Sequence, residues 1–384
     1  VTAPQRKNLR IQGRFSLILA QRRAESSQRV HPLAGAMQTQ SLTTYLLRTA
    51  LTLPAPVLRL LSGGAIVYEQ GRTLDPEFQF LWRTGLSDRN GRPRLGVAGR
   101  PLDEARADWR DMAARFATAP GARVQVDAVG SAGVSGLLIR PLPIDDDMPL
   151  MVFFHQGGGV LGGPELSRAF GGLFAWTAQC PVFLPHYRLA PDHRFPAALD
   201  DARKIADWAQ TNAFTLGAPS GRIALGGALT GAGLAARLSL ELKRDFKPLP
   251  AGQLLLTPLL DLGDPALREA DTGLWPLNGA DLAEMIADYA GGGHDLSDPR
   301  LSPGREKLLG GQPPSLIASA GFDPTVGQAE SYARRLREAG CDAIYRLYDS
   351  LPLGFDLLCG LAGSARAATT EIAGLWRDLM RKGR

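Results

Sequence analysis

The residues able to do chemistry gather in four loops, at 155–163, 226–233, 323–327 and 349–354. The first holds His155-Gln156-Gly157-Gly158-Gly159. Successive glycines can turn backbone N–H groups toward an anion or a carbonyl oxygen, although a merely flexible turn reads the same way. The second holds Ala228-Leu229-Thr230-Gly231-Ala232, where small residues surround one hydroxyl, Thr230, close to where a helix should begin. The third offers Asp323 in Phe322-Asp323-Pro324, either an acid able to orient a base or an ordinary turn aspartate. Glu165, His186 and Asp349 are further acid–base groups near these loops. Polarising a carbonyl is the chemistry these types support. Metal chemistry is not: five histidines and three cysteines (Cys180, Cys341, Cys359) show no ligand spacing, so neither a metal nor a cofactor is expected.

Each loop follows a short apolar run. Residues 149–155 (PLMVFFH) read as a buried strand, and 181–187, 222–227, 253–257, 315–320 and 343–348 as further strands. Residues 123–129 and 133–140 read as a hairpin joined by a glycine-containing turn. Helical stretches fall between the strands, near 166–177, 197–212, 231–245, 281–290, 327–340 and 361–381. Such alternation implies a mostly parallel sheet, and ligands of such sheets bind beyond the C-terminal ends of the strands. Ahead of this lie an amphipathic stretch from Ser41 to about Leu61, interrupted by Pro54 and Pro56, and a helix over 102–116. The charged segment 87–100 reads as a loop.

The net charge of +5 does not mark a nucleic-acid protein, because residues 1–36 alone hold seven basic residues against Glu25. That segment nets +6 and the rest of the chain −1, which leaves no basic face for a phosphate backbone. Residues 1–36 read as a basic, disordered extension, with Met37 as an alternative start and a targeting peptide as the other reading. No apolar run approaches the roughly 18 residues of a spanning helix, so no integral membrane segment is expected. Three cysteines make no disulfide framework and point to a reducing, cytoplasmic setting.

Fifteen residues then carry a resemblance: Tyr187-Arg188-Leu189-Ala190-Pro191-Asp192-His193-Arg194-Phe195-Pro196-Ala197-Ala198-Leu199-Asp200-Asp201. With Asp298-Pro299-Arg300-Leu301-Ser302-Pro303 and Phe322-Asp323-Pro324, they resemble the hormone-sensitive-lipase-like family of α/β-hydrolases, mostly carboxylesterases. The match runs over roughly residues 120–380. The resemblance implies an α/β-hydrolase fold: a mostly parallel central sheet of about eight strands, covered by helices on both faces, with an N-terminal helical cap. The domains would be the extension 1–36, a cap or lid region 37–120 and the hydrolase core 121–384.

The family uses a Ser on a tight strand-to-helix turn, a His that takes its proton, an Asp that holds the His, and backbone N–H groups for the oxyanion. Carried over by position, Asp323 is the retained acid. The serine position is Leu229, within Gly227-Ala228-Leu229-Thr230-Gly231, and the histidine position is Leu353, within Leu353-Gly354-Phe355. The oxyanion loop is His155 to Gly159, with Gln156 at its first glycine and Gly159 where an aromatic usually packs; Gly231 completes the set. Gln156 is expected to crowd the oxyanion position. Asp323, deprived of its partner, must stay wet, find another donor or protonate, with a nearby backbone N–H as the expected rescue.

The resemblance thus implies an esterase scaffold with a broken triad, keeping an apolar pocket for a small acyl-ester or hydrophobic ligand. Two alternatives stand beside it. One is an esterase with Thr230 as a displaced nucleophile. The other is a lyase or cyclase working through Glu165, His186 or Asp349. A homodimer is left open as a partner.

Overall fold

The computed structural model describes residues 42–83, 96–116, 123–269 and 277–382. The basic segment 1–36 and most of the 87–100 loop lie outside the described residues. Leu46–Arg384 is one compact unit; of the other, Val1–Tyr45, only the first residues of a helix are described.

Before the sheet come α1 (Leu42–Ala50), α2 (Ala55–Leu61), a small hairpin of β1 (Tyr68–Glu69) and β2 (Arg72–Thr73), α3 (Pro76–Leu81) and α4 (Leu102–Phe116). Pro54 and Pro56 start α2 rather than merely breaking a helix, since proline fits the first turn, where its missing N–H has no acceptor to lose. Asp75 caps α3 by accepting from the N–H groups of Glu77 and Phe78.

The sheet proper has eight strands: β3 (Val124–Ser131), β4 (Val134–Pro141), β5 (Leu150–Phe154), β6 (Val182–Pro185), β7 (Ile223–Ala228), β8 (Gln253–Leu256), β9 (Ser315–Phe322) and β10 (Ala343–Pro352). Their spatial order is β10-β9-β8-β7-β5-β6-β4-β3. β4 runs antiparallel to both its neighbours and all other pairs are parallel. The strands read as unbroken apolar runs because both faces are covered: every residue of β5 and of β9 is buried. The β3–β4 turn needs two residues at positive φ, and Ala132 (+52°) and Gly133 (+74°) supply them.

Helices cover both faces of the sheet: α5 (Arg168–Ala178), α6 (Ala197–Asn212), α7 (Thr230–Arg244), the short α8 (Ala266–Glu269), α9 (Gly279–Ala290), α10 (Val326–Glu338) and α11 (Gly363–Lys382). α5 packs against α11 and α6 against α7. Phe170 of α5 stacks on Phe153 of β5 at 4.8 Å, and Phe174 leans on Trp376 of α11.

One element departs from expectation. β10 continues past Tyr348 to Pro352 through a register shift, so Asp349 lies within the strand and not in the loop after it. The C-terminal ends of β5, β7, β8, β9 and β10 share one edge of the sheet, and the four loops singled out above leave from that edge.

Candidate functional site

β7 ends at Ala228 and α7 begins at Thr230, so a single residue, Leu229, makes the strand-to-helix turn. Its φ of +50° and ψ of −115° lie where an L-residue persists only if its surroundings hold it. They do: the Leu229 N–H donates to the Leu256 carbonyl at 3.0 Å, and its own carbonyl accepts from Gly233 and Leu259, each at 3.1 Å. The turn is tight because two glycines allow it. A Cβ at Gly227 would collide with the backbone of Gly231, and one at Gly231 with the carbonyl oxygens of Phe154 and His155. The side chain at the apex is 1% exposed. Thr230 beside it is buried, and its Oγ1 has no hydrogen-bond partner. The first N–H groups of α7, those of Thr230 and Gly231, have no intrahelical acceptor, and no side chain caps them.

The glycine loop after β5 has three successive residues at positive φ: Gly157 (+128°), Gly158 (+67°) and Gly159 (+73°). α9 presses on it. A Cβ at Gly158 would strike Met285, and one at Gly159 would strike the Tyr289 ring. The aromatic expected at position 159 therefore comes from another element, Tyr289. Gln156, expected to crowd the loop, instead gives its side-chain amide to Asp356 Oδ2 at 3.0 Å. Asp356 lies in the 355–358 turn, fully buried, with Oδ1 unpartnered. Burial pushes its carboxyl up to about 6 against the pull of the Gln156 bond.

His155 begins the loop and is buried. Its Nδ1 lies 2.7 Å from the Gln156 carbonyl, which can only accept, so the ring proton sits on Nδ1. The ring stacks on Tyr187 at 4.3 Å, and the Tyr187 hydroxyl donates to the His155 carbonyl at 2.9 Å. Burial pushes the imidazole down to about 4, so it is neutral near pH 7.

Asp323 follows β9 and is 4% exposed. Thr325 satisfies it, with the backbone N–H donating to Oδ1 at 2.8 Å and the hydroxyl within 2.9 Å of both oxygens. This is the backbone rescue expected from the sequence, with a hydroxyl added. Burial dominates nonetheless and pushes the carboxyl up to about 7. Leu353 follows β10 and is 0% exposed; its N–H donates to the Phe322 carbonyl at 2.9 Å, which lays the 353 loop beside the Asp323 loop.

Three acid–base groups noted in the sequence face solvent. Glu165 and His186 are exposed, and the exposed Asp349 pairs with Arg72 at 3.2 Å. Among the described residues no three His, Cys, Asp or Glu side chains come together in a way that could hold a metal. Thr325, Asp356, Tyr289 and Arg106 were not singled out by sequence reasoning. The Thr325 spacing, two residues after Asp323, is an Asx-turn signal that could have been found. Arg106 of α4 donates to the carbonyls of Val160 and Ala190 and pairs with Asp192, fastening α4 to the glycine loop. A small cleft lies beneath α4, lined by Met112, Ala113, Phe116, Glu165, Leu166, Ala169 and Leu357.

Residues 151–357 match the family described as alpha/beta hydrolase fold. The carboxylic ester hydrolase LipN of Mycobacterium tuberculosis is 35% identical over 339 residues, spanning 83% of this chain and 87% of its own. The chain belongs to the hormone-sensitive-lipase-like α/β-hydrolases. The carboxylesterase NlhH of the same organism is 32% identical over 260 residues, 65% of this chain and 80% of its own. A mutant of LAE6, an alpha/beta hydrolase enzyme from the metagenome of Lake Arreo, superposes with a TM-score of 0.69 at 29% identity, covering 76% of this chain and 93% of its own. In this member of the family the fifteen-residue signature folds onto the glycine loop. Tyr187 holds His155, and the Ala190 N–H donates to the Gly159 carbonyl. Arg188 grips Asp201 through Nε and Nη2.

Proposed function

We propose that this esterase-family scaffold is catalytically impaired, with Leu229 at the nucleophile position and Leu353 at that of the general base. The observation that carries the reading is the turn at Leu229. Its strained dihedrals, its two close-packed glycines and the uncapped N–H groups of α7 form the frame that elsewhere presents a nucleophile. The group presented here is a hydrocarbon. Leucine can neither attack a carbonyl nor shed a proton, and neither can the buried Leu353 accept one. Removing one triad member typically lowers the rate by about 10⁴- to 10⁶-fold.

The oxyanion frame keeps its glycines, and the Gln156 amide is engaged by Asp356, so N–H groups remain to polarise a carbonyl. On this reading residues 37–120 act as a cap over an apolar pocket, and the ligand is a small acyl-ester or hydrophobic molecule. The Arg106 bonds to the glycine loop support the cap. Restoring both groups tests the proposal. The Leu229→Ser, Leu353→His variant should hydrolyse short p-nitrophenyl esters at least about 100-fold faster than the parent. A parent that already turns over such esters at ordinary enzyme rates overturns it.

Thr230 as a working nucleophile has one observation in its favour, a buried hydroxyl without a partner. Against it, the left-handed residue of the turn is Leu229, and Thr230 is already the first residue of a helix. A fluorophosphonate probe that labels the parent at Thr230 would favour this second reading.

A further inference from the structure

The segment preceding the core exposes apolar surface that the site does not use. α2 is apolar on two sides. Leu58 faces inward, against α3, and is 2% exposed. Val57, Leu60 and Leu61, at i, i+3 and i+4, form a ridge on the other side, with Leu60 74% and Leu61 53% exposed. Leu53, one turn before Val57, and Leu46, Ile66 and Tyr68 extend the exposed apolar surface along residues 46–68. Single exposed leucines need no explanation, but a helix with an outward hydrophobic ridge does.

The charged side chains within residues 26–68 are of one sign, with Glu69 following directly after. Residues 26–68 contain no Asp or Glu, while Arg48 and Arg59, half-buried with Arg48 Nε and Nη2 and Arg59 Nε out of solvent, form no ion pair among the described residues. Residues 1–36, which precede this stretch in the chain, net +6. A second copy of the same surface would bring arginines against arginines. A sheet of anionic headgroups over hydrocarbon complements both features: leucines enter the acyl boundary, and the terminal nitrogens of Arg59 and Nη1 of Arg48, which are not among the buried ones, meet phosphates. No helix among the described residues is long and apolar enough to cross a membrane. We infer that the ridge of residues 46–68 docks this protein peripherally on an anionic lipid surface.

The test uses the full chain with vesicles of phosphatidylcholine alone or mixed with phosphatidylserine, in a flotation assay at low and high salt. Binding to the mixed vesicles is expected to exceed binding to neutral ones by roughly ten-fold and to weaken with salt. The Leu60→Asp, Leu61→Asp variant should lose about ten-fold in binding while keeping its circular dichroism spectrum. A Leu60→Trp variant should shift its emission to the blue on mixed vesicles only. Three results each overturn the inference: no binding to either vesicle, full binding by the Asp variant, or a dimer in sedimentation that the Asp variant dissociates.

Discussion

Asp323 is a carboxyl group held in a dry place with a neutral partner. Thr325 gives it an N–H and a hydroxyl, but no cation offsets its charge, and burial moves its pKa up to about 7. Asp356 behaves likewise, up to about 6. An aspartate in the unfolded chain titrates near 4, so the folded state binds these protons more tightly. Their contribution to stability is therefore complete below about pH 4 and is lost as the pH rises through 6 to 7, the reverse of ordinary acid denaturation. Asp323→Asn keeps an acceptor for the Thr325 N–H and removes the charge. Its unfolding free energy from urea titration should exceed the parent's at pH 8, by on the order of a few kcal/mol, and match it near pH 4. Equal gains at the two pH values would refute this account. The residue scale also marks what a sequence withholds. Asp323 and the glycines were readable as motif positions. Asp356 was not, because the amide it binds lies 200 positions away, whereas the rescuing donor, Thr325, stands at the Asx-turn spacing from Asp323 and was legible in principle.

At the scale of elements, the strands were readable because parallel strands buried on both faces must be short apolar runs, and those runs are conspicuous between the helices. The exceptions have physical causes. β10 extends four residues beyond its apolar run because a bulge lets polar Asp349 and Ser350 remain in the strand with their side chains outside the core. The two-residue strands β1 and β2 and the six-residue α3 are too short to show any period. The turn between β7 and α7 was visible as Gly-x-Leu-x-Gly, yet the reason for its glycines is close backbone packing, Gly227 on Gly231 and Gly231 on the end of β5. Replacing Gly231 by alanine drives a methyl group into the Phe154 and His155 carbonyls. Backbone cannot yield as a side chain tip can, so Gly231→Ala should destabilise by at least about 2 kcal/mol in urea unfolding. Gly172, half-buried on α5, leaves open space where a Cβ would go, and Gly172→Ala should be neutral or mildly stabilising. If the two variants behaved alike, the close packing at the turn would not be what requires glycine there.

The unit Leu46–Arg384 is tied together from its first elements to its last. Glu77, on α3, accepts from the N–H groups of Gly363 and Ser364 and from the Ser364 hydroxyl, all within 3.1 Å. It thereby caps α11 from nearly 290 residues away, putting a negative charge where the helix dipole favours one. Nearby, the Asp75 N–H donates to the Ser350 carbonyl and Arg72 pairs with Asp349, so the segment before the sheet is fastened to the last strand and last helix. Such ties make two behaviours distinguishable. If residues 46–83 and the core unfold together, Glu77→Ala removes about 1–2 kcal/mol from the whole unit, lowering the urea midpoint and leaving the slope of the transition unchanged. If the segment opens on its own, the same substitution splits off an early phase seen by Trp82 fluorescence, and the main transition keeps its midpoint. The structure favours the first outcome, because α11 carries Trp376 and packs through it on α5 in the centre of the fold, so loosening its cap is felt by the core and not by the segment alone.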